Sequence, residues 1–195
     1  MIFAVDASGS SALHRLAEAK GAIELLLASC YVRRDKVALI AFRGRAAELL
    51  LAPTGALVRA KRCLAGLPGG GATPLAAGLD AAALLADAAR RKGQTPILTV
   101  LTDGRGNVAR DGSYDRARAE VDAIAAARRI RAGGFAVLLV DTAARPDERT
   151  RRLGVALGAS YLPLPCADAA RLSQAVRAAA RPSAASPPGI ASRAI

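Results

Sequence analysis

Ile2-Phe3-Ala4-Val5-Asp6-Ala7-Ser8-Gly9-Ser10 opens the chain with a short apolar run that ends on a carboxylate and two hydroxyls at alternate positions. The run reads as a buried strand. The turn after it is too short to carry Asp6, Ser8 and Ser10 away from the strand end, so their oxygens can converge on one point. Oxygen donors of this kind suit a hard divalent cation that keeps some of its waters, Mg²⁺ above all, with Mn²⁺ also accommodated. Two distant segments offer matching chemistry: Gly69-Gly70-Gly71-Ala72-Thr73-Pro74 and Leu101-Thr102-Asp103-Gly104.

Working outward, apolar runs alternate with helical patterns, the signature of parallel strands joined by crossover helices. Strands are expected over 2–5, 36–42, 47–52, 97–102, 135–140 and 160–162. Helices are expected over 11–31, 55–67, 74–92, 115–132, 147–157 and 167–180. The strands over 36–42 and 47–52 lie too close together for a helical crossover, which predicts an antiparallel hairpin at one sheet edge. The fold class that follows is a doubly wound, mostly parallel α/β sheet with one antiparallel edge strand. One domain is expected over 1–180, followed by a frayed Pro/Ser/Ala-rich tail over 181–195. Only Met1 precedes the first strand, which predicts a piece of a longer polypeptide.

Composition narrows the function. Apolar residues make up 52% of the 195, enough for one good core, while aromatics at 3% and the absence of Trp make that core aliphatic. No apolar run approaches the roughly 20 residues that span a bilayer, and the start lacks the features of a signal peptide, so a cytoplasmic protein is expected. Three cysteines, Cys30, Cys63 and Cys166, stand far apart without CxxC spacing and read as buried reduced thiols. A net charge of +12 could attract nucleic acid. The arginines, however, are spread over many helices without interleaved aromatics for base stacking, so a nucleic-acid module is set aside.

Open α/β sheets place ligands at the carboxyl ends of their strands. Asp6 and Asp103 both end strands, and Thr73 sits just ahead of a helix on a flexible glycine loop. Taken singly, Ser8, Ser10 and Thr73 read equally well as helix caps, and Asp103-Gly104 as a turn. Their conjunction favours a cation site. Enzyme readings find less support, because no GxxxxGK(S/T) phosphate loop or GxSxG elbow is present. The lone His14 reads as a solvated helix residue, and serine at position 8 removes the second carboxylate that a DxD phosphotransferase needs. The cluster therefore reads as a binding site. Arg43, Arg105 and Arg110 lie on loops expected to ring the same rim, where their positive field would favour an acidic partner.

Asp6-x-Ser8-x-Ser10, Thr73 and Thr102-Asp103-Gly104 together resemble the metal-ion-dependent adhesion site of von Willebrand factor A (integrin I) domains, a Rossmann-like fold, over about residues 1–180. That resemblance implies metal ligation by Asp6, Ser8, Ser10, Thr73 and Asp103, with a partner's acidic side chain completing the shell. The stretches 3–10, 17–22, 31–44 and 64–75 are further similar to the carboxy-terminal domain of the magnesium chelatase D-subunit family of chlorophyll and bacteriochlorophyll synthesis. This implies a non-catalytic domain that joins an AAA+ ATPase subunit to a porphyrin-binding subunit during ATP-driven insertion of Mg²⁺ into protoporphyrin IX. An adhesion-site domain of another AAA+-partnered assembly, cobaltochelatase-like or chaperone-like, is the alternative.

Overall fold

The computed structural model describes residues 1–8, 12–67, 69–164 and 174, with side chains of the first helix described from Lys20 onward. In chain order the elements are β1 (Ile2–Asp6), α1 (Ala12–Val32), β2 (Val37–Arg43), β3 (Ala46–Thr54), α2 (Leu57–Ala65) and α3 (Leu75–Arg91). They continue with β4 (Ile97–Thr102), α4 (Arg116–Ala132), β5 (Ala136–Asp141), α5 (Glu148–Leu157) and β6 (Ser160–Pro163). Every expected strand is present, as are the first five expected helices, with ends displaced by a few residues. The helix expected over 167–180 and the tail over 181–195 lie, Gln174 apart, outside the described residues.

The strands form one sheet in the order β3-β2-β1-β4-β5-β6. β1 pairs in parallel with β2 and β4, β4 with β5, and β5 with β6, while β3 alone runs antiparallel, against β2. This is the doubly wound α/β arrangement with the antiparallel edge strand expected from the short 36–52 segment.

Both faces of the central strands are covered, which is why those strands read as unbroken apolar runs. Phe3 and Val5 of β1 face a cluster with Ile23, Leu26 and Leu27 of α1 and Leu64 of α2. Ile2 and Ala4 face the opposite cluster, with Leu79 and Ala82 of α3 and Ala123, Ala126 and Ile130 of α4. Gly78 lets α3 approach the sheet closely: a Cβ there would lie 2.4 Å from the ring of Phe42. Thr99 on β4 carries a buried hydroxyl with no hydrogen-bond partner among the described residues. Among the described residues no helix is long and apolar enough to cross a membrane.

The strand order positions the site. From β1 the chain crosses to β2 on one side of the sheet, and after β3 it returns to β4 on the other. The connections leaving the carboxyl ends of β1 and β4 therefore diverge and open a crevice between neighbouring strands. Asp6 and Thr102 end those two strands.

Candidate metal centre

Three loops meet at this crevice, and backbone hydrogen bonds hold them there. Ala7 N–H donates to the Phe42 carbonyl at 3.2 Å, and the Ala7 carbonyl accepts from Gly70 N–H at 2.8 Å, tying the β1 end to the glycine loop. Gly70 has φ +113°, a conformation that L side chains rarely adopt, so glycine is what allows this loop to turn inward. The loop then delivers Thr73, which is 6% exposed.

The side chains form a connected set of oxygens. Asp6 Oδ1 accepts from the Ser8 N–H at 3.1 Å and from the Ser8 hydroxyl at 2.5 Å. Asp6 Oδ2 accepts from the Thr102 hydroxyl at 2.8 Å. Ser8 Oγ and Thr73 Oγ1 stand 2.5 Å apart across 65 residues of sequence. The capping alternatives can be judged from these contacts. Pro74 holds the N-cap position of α3 without a side-chain cap bond, and the Thr73 hydroxyl instead meets Ser8. The Ser8 hydroxyl turns back to Asp6. Ser10 lies outside the described residues.

Asp103 does form the expected turn: its Oδ1 accepts from Arg105 N–H at 3.1 Å, and Gly104 follows at φ +74°. Its charge reaches Asp6. Burial is the larger cause and pushes the Asp6 carboxyl up to about 6; hydrogen bonds from Ser8 and Thr102 pull it back, and repulsion from Asp103 adds to the rise. Carboxylates and hydroxyls concentrated at one strand switch suit a hard, oxygen-seeking divalent cation, whose charge would relieve that repulsion. No group of three or more His, Cys, Asp or Glu forms a rival metal cluster among the described residues.

Several supporting residues escape a reading of the sequence. Thr102 lies within the quoted motif, yet only the pairing of β1 with β4 shows its hydroxyl on Asp6. Asn107, in a loop that reads merely as polar, accepts from Thr73 N–H at 2.7 Å and returns its own N–H to the Thr73 carbonyl at 3.1 Å. Thr150, in the first turn of α5, is fully buried and donates to the Asp103 carbonyl at 2.9 Å. A Cβ on Gly104 would stand 2.9 Å from that hydroxyl. No spacing rule signals Asn107 or Thr150. Asp141 ends β5 on the same rim but is sealed in, accepting from Ala143 N–H at 2.9 Å and from the Tyr161 hydroxyl at 2.5 Å.

The three arginines fall into different settings. Arg43, exposed, lines a hollow of about 640 Å³ with Gly69, Gly70 and Gly71. Arg105 reaches Asp147, the cap of α5, at 3.2 Å and stays mostly exposed. Arg110 is bound sideways to Asp80 of α3 by two contacts of 2.9 and 3.2 Å, and its N–H donates to Asp122 of α4 at 2.9 Å. It braces two helices. Cys30 is buried and Cys63 half-buried, both as free thiols, and Cys166 lies outside the described residues.

Comparison with known proteins places the fold and the family. The family model of the von Willebrand factor type A domain matches residues 1–105. The magnesium-chelatase 60 kDa subunit of Cereibacter sphaeroides is 57% identical over 179 residues, covering 92% of this chain and 32% of that protein. The magnesium-chelatase 67 kDa subunit of Chlorobaculum tepidum is 44% identical over 184 residues, covering 89% and 30%. The chain thus spans about a third of the length of these curated relatives. Among solved structures, the VWA domain of SpRpn10 superposes with a TM-score of 0.62 at 14% identity, covering 89% of this chain and 92% of that one.

Proposed function

Because the chain belongs to the von Willebrand factor type A domain family, we propose that it is the metal-dependent protein-interaction domain of a magnesium chelatase D-type subunit. In this reading Asp6, Ser8, Ser10, Thr73 and Asp103 hold a resident Mg²⁺ or Mn²⁺, and a partner's carboxylate completes its shell. The partners are the AAA+ ATPase subunit and the porphyrin-binding subunit, in the cytoplasm. The Mg²⁺ inserted into protoporphyrin IX is cargo, distinct from the resident ion. In this reading the chain's own residues bind and orient the ion and the partner's carboxylate.

One observation carries this reading. Asp6, Ser8, Thr73 and Thr102, drawn from three separate segments, form one connected set of contacts at the crevice where the strand order reverses. The bound cation would supply a positive centre for an acidic ligand. Arg43 and Arg105 beside it would favour the same approach.

Calorimetry with Mn²⁺ and a pull-down against the ATPase subunit test it. Saturable Mn²⁺ binding lost in Asp6→Ala is expected, together with partner capture lost in EDTA and in Thr73→Ala. Unchanged Mn²⁺ binding by Asp6→Ala overturns the metal site. Full capture by Thr73→Ala in the presence of metal overturns metal-mediated docking.

A further inference from the structure

Helix α4 buries one face against the sheet and leaves a large apolar side chain exposed on the other. Ala119, Ala123, Ala126 and Ala127 face the sheet with Ile130, while Val121 stands 68% exposed. Helix α5 buries Leu153 and Leu157, and on its outer side Val155 is 71% exposed. Branched residues such as valine are mediocre helix formers, so neither the core nor helix propensity accounts for them. They meet in one place: Val121 and Val155, together with the half-buried Ile124, line a trough of about 1220 Å³ between the two helices. At spacings of three and four residues, Ala117, Val121, Ile124 and Arg128 fall on one face of α4.

The walls are charged with a bias. Arg128, Arg131, Arg151 and Arg152 line the trough against Glu120 and Glu148. Arg152 approaches Glu148 only at 3.8 Å, and both side chains stay about two-thirds exposed. Arg131 spans from α4 to the Val155 carbonyl of α5 at 3.0 Å and ties the two walls together. An apolar floor with a basic rim is complementary to an apolar stripe with acidic flanks.

We propose that the trough between α4 and α5 docks an acidic amphipathic helix of a partner protein. The shorter wall, α5, has 10 residues and so a length of about 15 Å, which matches an occupant of about three turns. The occupant's apolar residues cover Val121, Ile124 and Val155, and its carboxylates meet Arg128 and Arg152. This contact goes beyond the cation-dependent docking proposed above and does not need the metal.

Two synthetic peptides of about four turns test this with the full 195-residue chain in EDTA. Both carry leucines at helical spacing; one has glutamates on the flanks and the other lysines. Fluorescence anisotropy measures affinity, and amide chemical shifts map the site. The acidic peptide is expected to bind saturably, with shifts concentrated on α4 and α5. Its affinity should fall about tenfold in Arg128→Glu/Arg152→Glu, and binding should disappear in Val121→Asp/Val155→Asp. All four side chains are exposed, so unchanged melting of the variants keeps the comparison clean. Absent binding, equal binding of the lysine peptide, shifts confined to the Asp6 crevice, or full affinity in either double variant overturns the proposal. Concentration-dependent self-association abolished by Val121→Asp/Val155→Asp would overturn it in favour of a second copy of the chain. Salt-sensitive binding of a DNA duplex that displaces the acidic peptide would overturn it in favour of nucleic acid.

Discussion

Asn107 clamps Thr73 from both sides of its backbone. Its side-chain oxygen accepts the Thr73 N–H at 2.7 Å and its own N–H donates to the Thr73 carbonyl at 3.1 Å, while Val108 N–H adds a contact to that carbonyl at 3.4 Å. The loop that carries Asp103 thereby also positions the threonine of a different loop, so two of the proposed ligands move as one unit.

Asn107→Ala should therefore weaken cation binding without touching a ligand. Groups that orient metal ligands contribute about 10–100-fold in affinity, and the lower end of that range is expected here, read by Mn²⁺ calorimetry. The Thr73 N–H also loses its acceptor, so melting should fall by about 1–3 kcal/mol of stability. Affinity unchanged within error would show that the clamp does not bear on the site.

Asp6 should make the metal-free fold more stable in mild acid than at neutral pH. Its folded-state value, about 6, lies above the ordinary 3.8. The folded chain therefore binds this proton more readily than the unfolded chain. Its contribution is greatest below about pH 4, declines as pH rises through about 6, and is level above that. In EDTA, Asp6→Asn should flatten this part of the melting profile and melt higher than the parent at pH 7.5. Added Mg²⁺ should stabilise the parent but not the variant.

Thr99→Val should stabilise the protein. The Thr99 hydroxyl is fully buried on β4 without a partner among the described residues, and valine has nearly the same shape. Removing an unsatisfied hydroxyl is expected to add about 1 kcal/mol, or about 2–4 °C in melting temperature for a chain of this size, with metal binding unchanged. A drop in melting temperature would mean the hydroxyl has a partner after all.

Gly78→Ala should destabilise although alanine is the better helix former. The new methyl would lie 2.4 Å from the Phe42 ring, which is itself fully buried. Overpacking of this kind costs about 1–3 kcal/mol, more than the helix gains, and denaturant midpoints would show it. Combining it with Phe42→Leu should recover part of the loss, a non-additivity expected of side chains in contact.

Much of this molecule could be read before it was folded. The apolar runs 2–5, 97–102 and 135–140 mark the central strands because a parallel sheet covered on both faces leaves no room for alternation. The short interval between 42 and 47 by itself requires a hairpin. Asp6, Ser8 and Asp103 stand out as candidates because strand ends are local features of the sequence, although Asp141, which ends β5, is a strand-end carboxylate sealed in by its own hydrogen bonds. Sequence alone thus determined the strands, the mostly parallel sheet and its one antiparallel edge, and it marked the oxygen-bearing residues at the strand ends. Tertiary structure alone decided what holds that crevice in shape: Asn107 on Thr73, Thr150 on Asp103, Thr102 on Asp6, and Arg110 turned away to Asp80. Each of these contacts joins residues dozens of positions apart, and hydrogen bonds of that range follow from which strands lie side by side, a relation that no local pattern encodes.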